Sequence, residues 1–292
     1  MRNHTIAIQG SSASFHDIAA KKYFGEEITV SECGSFREVC DKIAHNRVDY
    51  GVIAIENRIA GSILLNYQLI DEYTLKIAGE IYLPVQLHLF GKKDACISEI
   101  REIISHPMAL GQSQNFLAGL DNITISEYKD TSACTKLVSE DSSGKTAVIA
   151  GPVAGKKYGL QILRKNVCDS KSNYTRFYVL SKGENHEEDA DKASVMLQTK
   201  NTPGALCEVL LVLRNYGLNL TKIQSIPLTG NETAYSFHLD IEFKNRKALA
   251  KAITELKRIT KNCKTSGIYK RGEQVYETKK RKTEIKQLVY ES

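Results

Sequence analysis

Along the first 180 or so residues, short apolar runs of strand length alternate with segments whose apolar positions recur at helical spacing. "HTIAIQG" predicts a strand ending at Gly10, followed by a helix over Ser14–Phe24. "EITVSE" predicts a second strand. In "SFREVCDKIAHN", Phe36, Val39, Cys40 and Ile43 fall at helical spacing, with Ser35 as N-cap. "YGVIAIEN" is almost continuously apolar, the pattern of a strand buried on both faces. A helix is expected from Gly61 to about Tyr73. "LKIAGEIYLPVQLHLFGKK" reads as one long strand or two successive ones, with Pro84 at an edge or bend. "REIISH", the helix-like "GQSQNFLAGL", "NITISEY", a helix over Thr131–Glu140, "KTAVIAG" and "SNYTRFYVLSK" complete the series.

Repeated β–α alternation predicts parallel sheets with helices on their faces. The strands near 75 to 90 predict a crossing between two α/β lobes, lobe one at about 1–75 plus 165–182 and lobe two at about 76–164. A cleft between two such lobes is a usual place for a small ligand. "GENHEEDADK", residues 183–192, is polar and acidic and reads as a linker. The pattern then restarts. "ASVMLQTK" is a strand, "PGALCEVLLVLRNYG" a helix, and "LNLTKIQSIPL" and "ETAYSFHLDIEF" two strands about a turn at Gly230 and Asn231. "NRKALAKAITELKRIT" is a helix with Leu249, Ile253 and Leu256 on one face, and "CKTSGIY" a last strand. The order βαββαβ over 193–271 is the ferredoxin-like split motif. Residues 272–292 form a charged tail with scattered apolar positions, expected to be solvated and partly helical.

With 42% hydrophobic and 25% charged residues, the 292-residue composition is that of an ordinary globular protein. No apolar run reaches transmembrane length and "MRNHTIAIQG" has no secretory pattern, so a cytoplasmic protein is the default expectation. The net charge of +6 is mild, and the dispersed basic residues argue against nucleic acid. Seven scattered cysteines without a C-x-x-C pair read as reduced thiols and not as metal ligands.

In doubly wound sheets, ligands sit beyond the carboxyl ends of strands. Four such places here carry small or hydroxyl residues: Ser11, Ser12 and Ser14; Asn57, Gly61 and Ser62; Thr131 and Ser132; and "GPVAG". Each alone is most simply a helix cap; together they favour an anion-binding cleft. "SSGKTA" lacks the spacing of a phosphate loop and runs into a strand. Glu56 is an acid with a raised pKa or a carboxylate satisfied by nearby N–H groups. His106 suits a loop hydrogen bond better than catalysis. Arg176 is expected to pair with an internal Asp or Glu, because its neighbour Phe177 points to core packing.

"YGVIAIENRIAGS", "SHPMALGQ", "YGLQILRKNVCDSKSNYTRFYVL" and the βαββαβ unit containing "PGAL" resemble prephenate dehydratase with a C-terminal ACT regulatory domain, over nearly the whole chain to about residue 270. The resemblance implies a two-lobed, periplasmic-binding-protein-like α/β catalytic domain at 1–182 and an α+β ferredoxin-like ACT domain. It implies loss of CO2 and water from prephenate to give phenylpyruvate, the precursor of phenylalanine, with no metal or organic cofactor. Thr175 is then the donor to the leaving hydroxyl. Ser14, Glu56, Asn57, Ser62, Thr131 and Asn173 are substrate-binding candidates, with Arg176 and Phe177 shaping the site from behind. Gly204, Ala205 and Leu206, with Gln224, Ser225 and Pro227, are the implied phenylalanine site, and a homodimer or homotetramer through ACT domains is expected.

The chain departs from the family pattern in places. "GSSASF" has Ser11 for Pro and Ala13 for Gly, Arg58 replaces Ser, "DTSA" keeps only Thr131 clearly, and "QSIP" stands for E-S-R-P without its two charges. Arogenate dehydration and a non-catalytic sensor of amino acids or aromatic acids are the alternatives.

Overall fold

The computed structural model describes residues 3–128, 131–170, 172–184, 187–227 and 235–273. The tail expected at 272–292 lies almost wholly outside them. The chain first forms β1 (Thr5–Gln9), α1 (Phe15–Phe24), β2 (Thr29–Cys33), α2 (Phe36–Ala44), β3 (Tyr50–Asn57), β4 (Gly61–Ser62), α3 (Leu64–Glu72) and β5 (Lys76–Pro84). There follow β6 (His88–Gly91), β7 (Glu102–Ser105), α4 (Pro107–Gly111), α5 (Gln114–Leu117), β8 (Thr124–Glu127), α6 (Thr131–Glu140), β9 (Thr146–Ala150), α7 (Pro152–Lys157) and β10 (Gln161–Arg164). Next come β11 (Tyr174–Ser181), β12 (Lys192–Gln198), α8 (Ala205–Asn215), β13 (Asn219–Pro227), β14 (Tyr235–Glu242), α9 (Arg246–Ile259) and β15 (Asn262–Tyr269).

Local chemistry accounts for many boundaries. Ser14 caps α1 by accepting from Asp17 N–H, Ser35 caps α2 by accepting from Glu38 N–H, and the Glu38 carboxylate reaches back to Gly34 N–H. Asn245 caps α9, accepting from Lys247 and Ala248. Pro107 and Pro152 stand in the first turns of α4 and α7, where a missing N–H costs nothing. One expected boundary moves. Gly61 and Ser62 do not begin the helix; they pair antiparallel with Asn57 and Glu56 as β4, and α3 starts at Leu64.

Three sheets organise the molecule. The first has the order β2-β1-β3-β11-β5, with β4 on β3; the second is β10-β6-β9-β7-β8; the third is β13-β14-β12-β15. β1, β2 and β3 run parallel, whereas β11 returns antiparallel between β3 and β5. The expected lobe boundary at residue 75 is therefore corrected: β5 belongs to the first sheet because it pairs with β11 along Lys76–Pro84. The chain crosses after Pro84, and the long apolar run divides there into β5 and β6.

The third sheet has the ferredoxin-like strand order. One face is packed by α8 and α9 through Val209, Leu213, Leu249 and Leu256 against Val195, Leu239 and Ile241. The other carries buried polar residues, Lys192, Ser194, His238 and Asp240, against the first lobe. Ile226 and Tyr269 join the same apolar cluster as Tyr67, Leu69, Ile77 and Tyr178, so this domain shares a core with the first lobe. Close approach is enforced at Gly267, where a Cβ would lie 2.1 Å from the Ile77 carbonyl oxygen. Among the described residues no helix is long and apolar enough to cross a membrane.

Candidate active site

Thr175 stands opposite Asn57 in the β11–β3 register. Asn57 Nδ2 donates to Thr175 Oγ1 at 3.1 Å and to the Tyr174 carbonyl at 3.2 Å. Its Oδ1 accepts from the Ile59 and Ala60 N–H groups, at 3.0 and 3.1 Å. These contacts determine which way the amide faces, and they place a donor on Thr175. The threonine is half-buried, and among the described residues its own hydrogen has no protein acceptor. A hydroxyl that accepts one hydrogen bond and keeps its proton unspent can donate to a ligand.

The second lobe supplies a residue that the sequence reading did not assign. Gln112, just past α4, donates from Nε2 to Asn57 Oδ1 at 3.3 Å and accepts from Asn173 Nδ2 at 3.0 Å. Asn57, Gln112 and Asn173 are all buried. The three amides form a bridge between the lobes beside Thr175, and Asn173 Oδ1 is left buried without a protein partner. The signal lay in the quoted "SHPMALGQ", yet nothing in one sequence says that this glutamine meets Asn57. Lys157 Nζ also crosses between the lobes, to the Ser12 carbonyl at 3.2 Å.

The other expected residues divide. Ser14 spends its oxygen on the α1 cap. Ser62 is half-buried on β4 and accepts from Lys222 Nζ at 3.0 Å. The Glu56 carboxylate meets that same ammonium at 2.9 Å. The side chains of Thr131 and Ser132 lie outside the described residues. His106 caps α4 through Nδ1.

Arg176 and Phe177 do not reach the cleft. Phe177 is fully buried in the core of the first lobe, and Arg176 is 2% exposed. The register places Thr175 and Arg176 on opposite faces of β11, so only one of them can line an opening. Arg176 donates from Nε to Glu80 Oε2 at 2.7 Å and from Nη1 to Asp240 Oδ2 at 2.6 Å; Nη2 also bonds Glu80. Lys192 Nζ meets both Glu80 oxygens, at 2.9 and 3.1 Å. Ser194 and Tyr178 donate to Asp240 Oδ1. Burial opposes the charge on Asp240, but Arg176 and His238 hold its pKa well below the usual carboxylate range. Burial likewise opposes the Arg176 charge, and the Asp240 carboxylate more than restores it.

In the third domain, Gly204 adopts φ 83° and begins α8. Leu206 packs against that domain's core. Gln224 is half-buried and donates to the Ser225 carbonyl, while Ser225 and Pro227 are exposed. Among the described residues no group of three or more His, Cys, Asp or Glu could hold a metal ion.

A family model for prephenate dehydratase matches residues 6–185. A bifunctional chorismate mutase/prephenate dehydratase of Aquifex aeolicus (strain VF5) is 35% identical over 266 residues, covering 90% of this chain and 73% of that protein. A solved structure described as GqqA, a novel type of quorum quenching acylase, superposes with TM-score 0.81 at 28% identity, covering 91% of this chain and 98% of that one. Prephenate dehydratase from Arthrobacter aurescens in complex with L-Phe has TM-score 0.81 at 24% identity, covering 91% and 90%. The match over the catalytic lobes and the close relative together place this chain in the prephenate dehydratase family.

Proposed function

We propose that the protein converts prephenate to phenylpyruvate in the cleft between its lobes, with Thr175 assisting the departure of the ring hydroxyl. The observation that carries this is the 3.1 Å bond from Asn57 to Thr175 Oγ1. It occupies an acceptor site on the hydroxyl and leaves the O–H to point at the substrate. As the C–carboxylate bond breaks, CO2 leaves and its electron pair enters the ring. The ring then expels hydroxide as it becomes aromatic. A threonine hydroxyl is too weak an acid to release a free proton. It therefore hydrogen-bonds the departing oxygen as the C–O bond breaks, and solvent supplies the net proton that makes water. Assistance of this kind contributes about 10²–10⁴-fold, and orientation by the amide bridge contributes the rest.

The ferredoxin-like domain fits an ACT regulatory role, with Gly204, Ala205 and Leu206 at the start of α8 and Gln224, Ser225 and Pro227 on an edge strand. The L-Phe bound by the Arthrobacter aurescens protein supports phenylalanine as effector. Without the two charges of the family's E-S-R-P, we expect weak binding. Ile223 and Tyr235, exposed at 44% and 49% on the same sheet, suit pairing between copies in a dimer or tetramer.

The test is an assay of purified protein on prephenate, following phenylpyruvate absorbance with and without phenylalanine, and on arogenate, following formation of phenylalanine. Thr175→Ala should lower kcat by about 10²–10⁴-fold while prephenate still binds. Wild-type turnover by that variant removes the assignment, and no turnover by the parent favours a sensor. An acylase reading, prompted by GqqA, would need a base at the hydroxyl, and the partner found there is the Asn57 amide.

A further inference from the structure

The strand that carries Thr175 is irregular just where the donor sits. Thr175 faces Asn57 and Arg176 faces Glu56, but Phe177 faces Ala54, so β3 carries one extra residue at this place. A bulge of this kind bends the strand and re-aims the side chains beside it. Slippage of β11 by one residue would exchange the faces of Thr175 and Arg176 and turn the hydroxyl away from Asn57. What opposes slippage lies on the other face of the strand. Arg176 donates to Glu80 on β5, in its own sheet, and to Asp240 on β14, in the C-terminal domain. Neither carboxylate has an oxygen to spare. Asp240 Oδ2 takes Nη1 at 2.6 Å, while Oδ1 accepts from Ser194 at 2.7 Å and from Tyr178 at 3.1 Å. Glu80 also takes Lys192 Nζ and the Gly272 N–H. The guanidinium lies over the Tyr178 ring, 4.8 Å from its centroid. Asp240 is 0% and Arg176 2% exposed, so a guanidinium that moved would find no water to replace a lost carboxylate. A buried polar network with every member satisfied holds a single arrangement.

We infer that Asp240, supplied by the C-terminal domain, is a positioning residue for the dehydration: through Arg176 it pins β11 in the register that sets Thr175 against Asn57. The inference rests on prephenate as substrate and Thr175 as donor. Asp240 and Arg176 act from the face of β11 away from Thr175, so their loss falls on the bond-breaking step and not on substrate affinity.

The experiment is a double-variant cycle on the full chain. Asp240→Asn, assayed on prephenate at a temperature where near-ultraviolet circular dichroism shows it folded, should lower kcat about tenfold with KM within about threefold of the parent. In a Thr175→Ala background the same substitution should change the remaining turnover by less than about threefold, because no aligned hydroxyl is left to lose. Leu256→Ala, in the core on the helix side of the third sheet, is the stability control; it should lower the urea midpoint and leave kcat parent-like. Should Asp240→Asn not fold, Arg176→Lys carries the measurement with the same loss of kcat expected, since an ammonium keeps the charge but cannot span both carboxylates. The inference is overturned if the folded variant keeps the parent kcat, if its effect is undiminished beside Thr175→Ala, or if Leu256→Ala loses as much turnover. With an active parent those outcomes remove this inference alone. Inactivity of the parent on prephenate, or parent-like turnover by Thr175→Ala, removes the functional reading and this inference with it.

Discussion

Gln112 shows how far a single side chain can reach in this site. Its amide holds Asn57 on one side and Asn173 on the other, and it comes from the opposite lobe. Replacing it with leucine keeps the volume roughly constant but removes both bonds. Buried polar atoms left without partners cost about 1–3 kcal/mol each. That cost is expected to appear as rotation of Asn57 away from Thr175. Gln112→Leu should therefore lower kcat by at least about tenfold, equivalent to ~1.4 kcal/mol, with secondary structure unchanged by circular dichroism. Kinetics equal to the parent would mean that the Ile59 and Ala60 N–H groups orient Asn57 by themselves.

At the scale of elements, α1 is fastened to the first sheet through His16. Its Nε2 accepts from the Ala54 N–H of β3 at 3.2 Å, and its ring meets Phe177 of β11 edge-on at 5.1 Å. The acceptor role needs a neutral ring, and burial lowers the pKa from 6.5 to about 4. Between those values the unfolded chain binds a proton that the folded chain refuses. The folded protein therefore loses stability as pH falls from 6.5 toward 4, by up to roughly 3 kcal/mol at about 1.4 kcal/mol per pH unit. Urea midpoints measured at pH 7 and pH 5 should show the decline, and His16→Gln should flatten it. An equal slope in both proteins would assign the effect to other groups. Pairing between elements also explains why Gly61 and Ser62 do not start a helix. Gly61 and Ser62 look like a helix start by composition, and only their pairing with β3 makes them strand.

For the whole molecule, the decisive feature is where Arg176 sends its charge. The residue beside the proposed donor is locked to Glu80 in its own lobe and to Asp240 in the C-terminal domain, and Lys192 completes a balanced buried set. Asp240→Asn leaves the guanidinium short of one countercharge. Breaking one side of a buried pair costs about 3–5 kcal/mol. We expect earlier urea unfolding and faster proteolysis between the first lobe and the third sheet, and a parent-like midpoint would show the domains to be held by the apolar cluster alone. Because the Asp240 pKa is depressed, its contribution is complete above the unfolded carboxylate value and is lost only as pH falls through the lower folded one.

The lobes, the ferredoxin-like unit and many of their elements were legible because apolar spacing and capping residues act within a few positions of one another. The buried run of β3 and the Ser35 cap of α2 are examples. Thr175 and Asn57 were singled out from short stretches that sit far apart in the chain. Only the folded chain decided that β5 stays with the first sheet, that Gln112 joins the two asparagines, and that Glu56 and Arg176 are answered from the C-terminal domain. Local propensity is written in neighbouring residues, whereas the partner of a buried charge is chosen by which surfaces meet. A single sequence does not record that meeting.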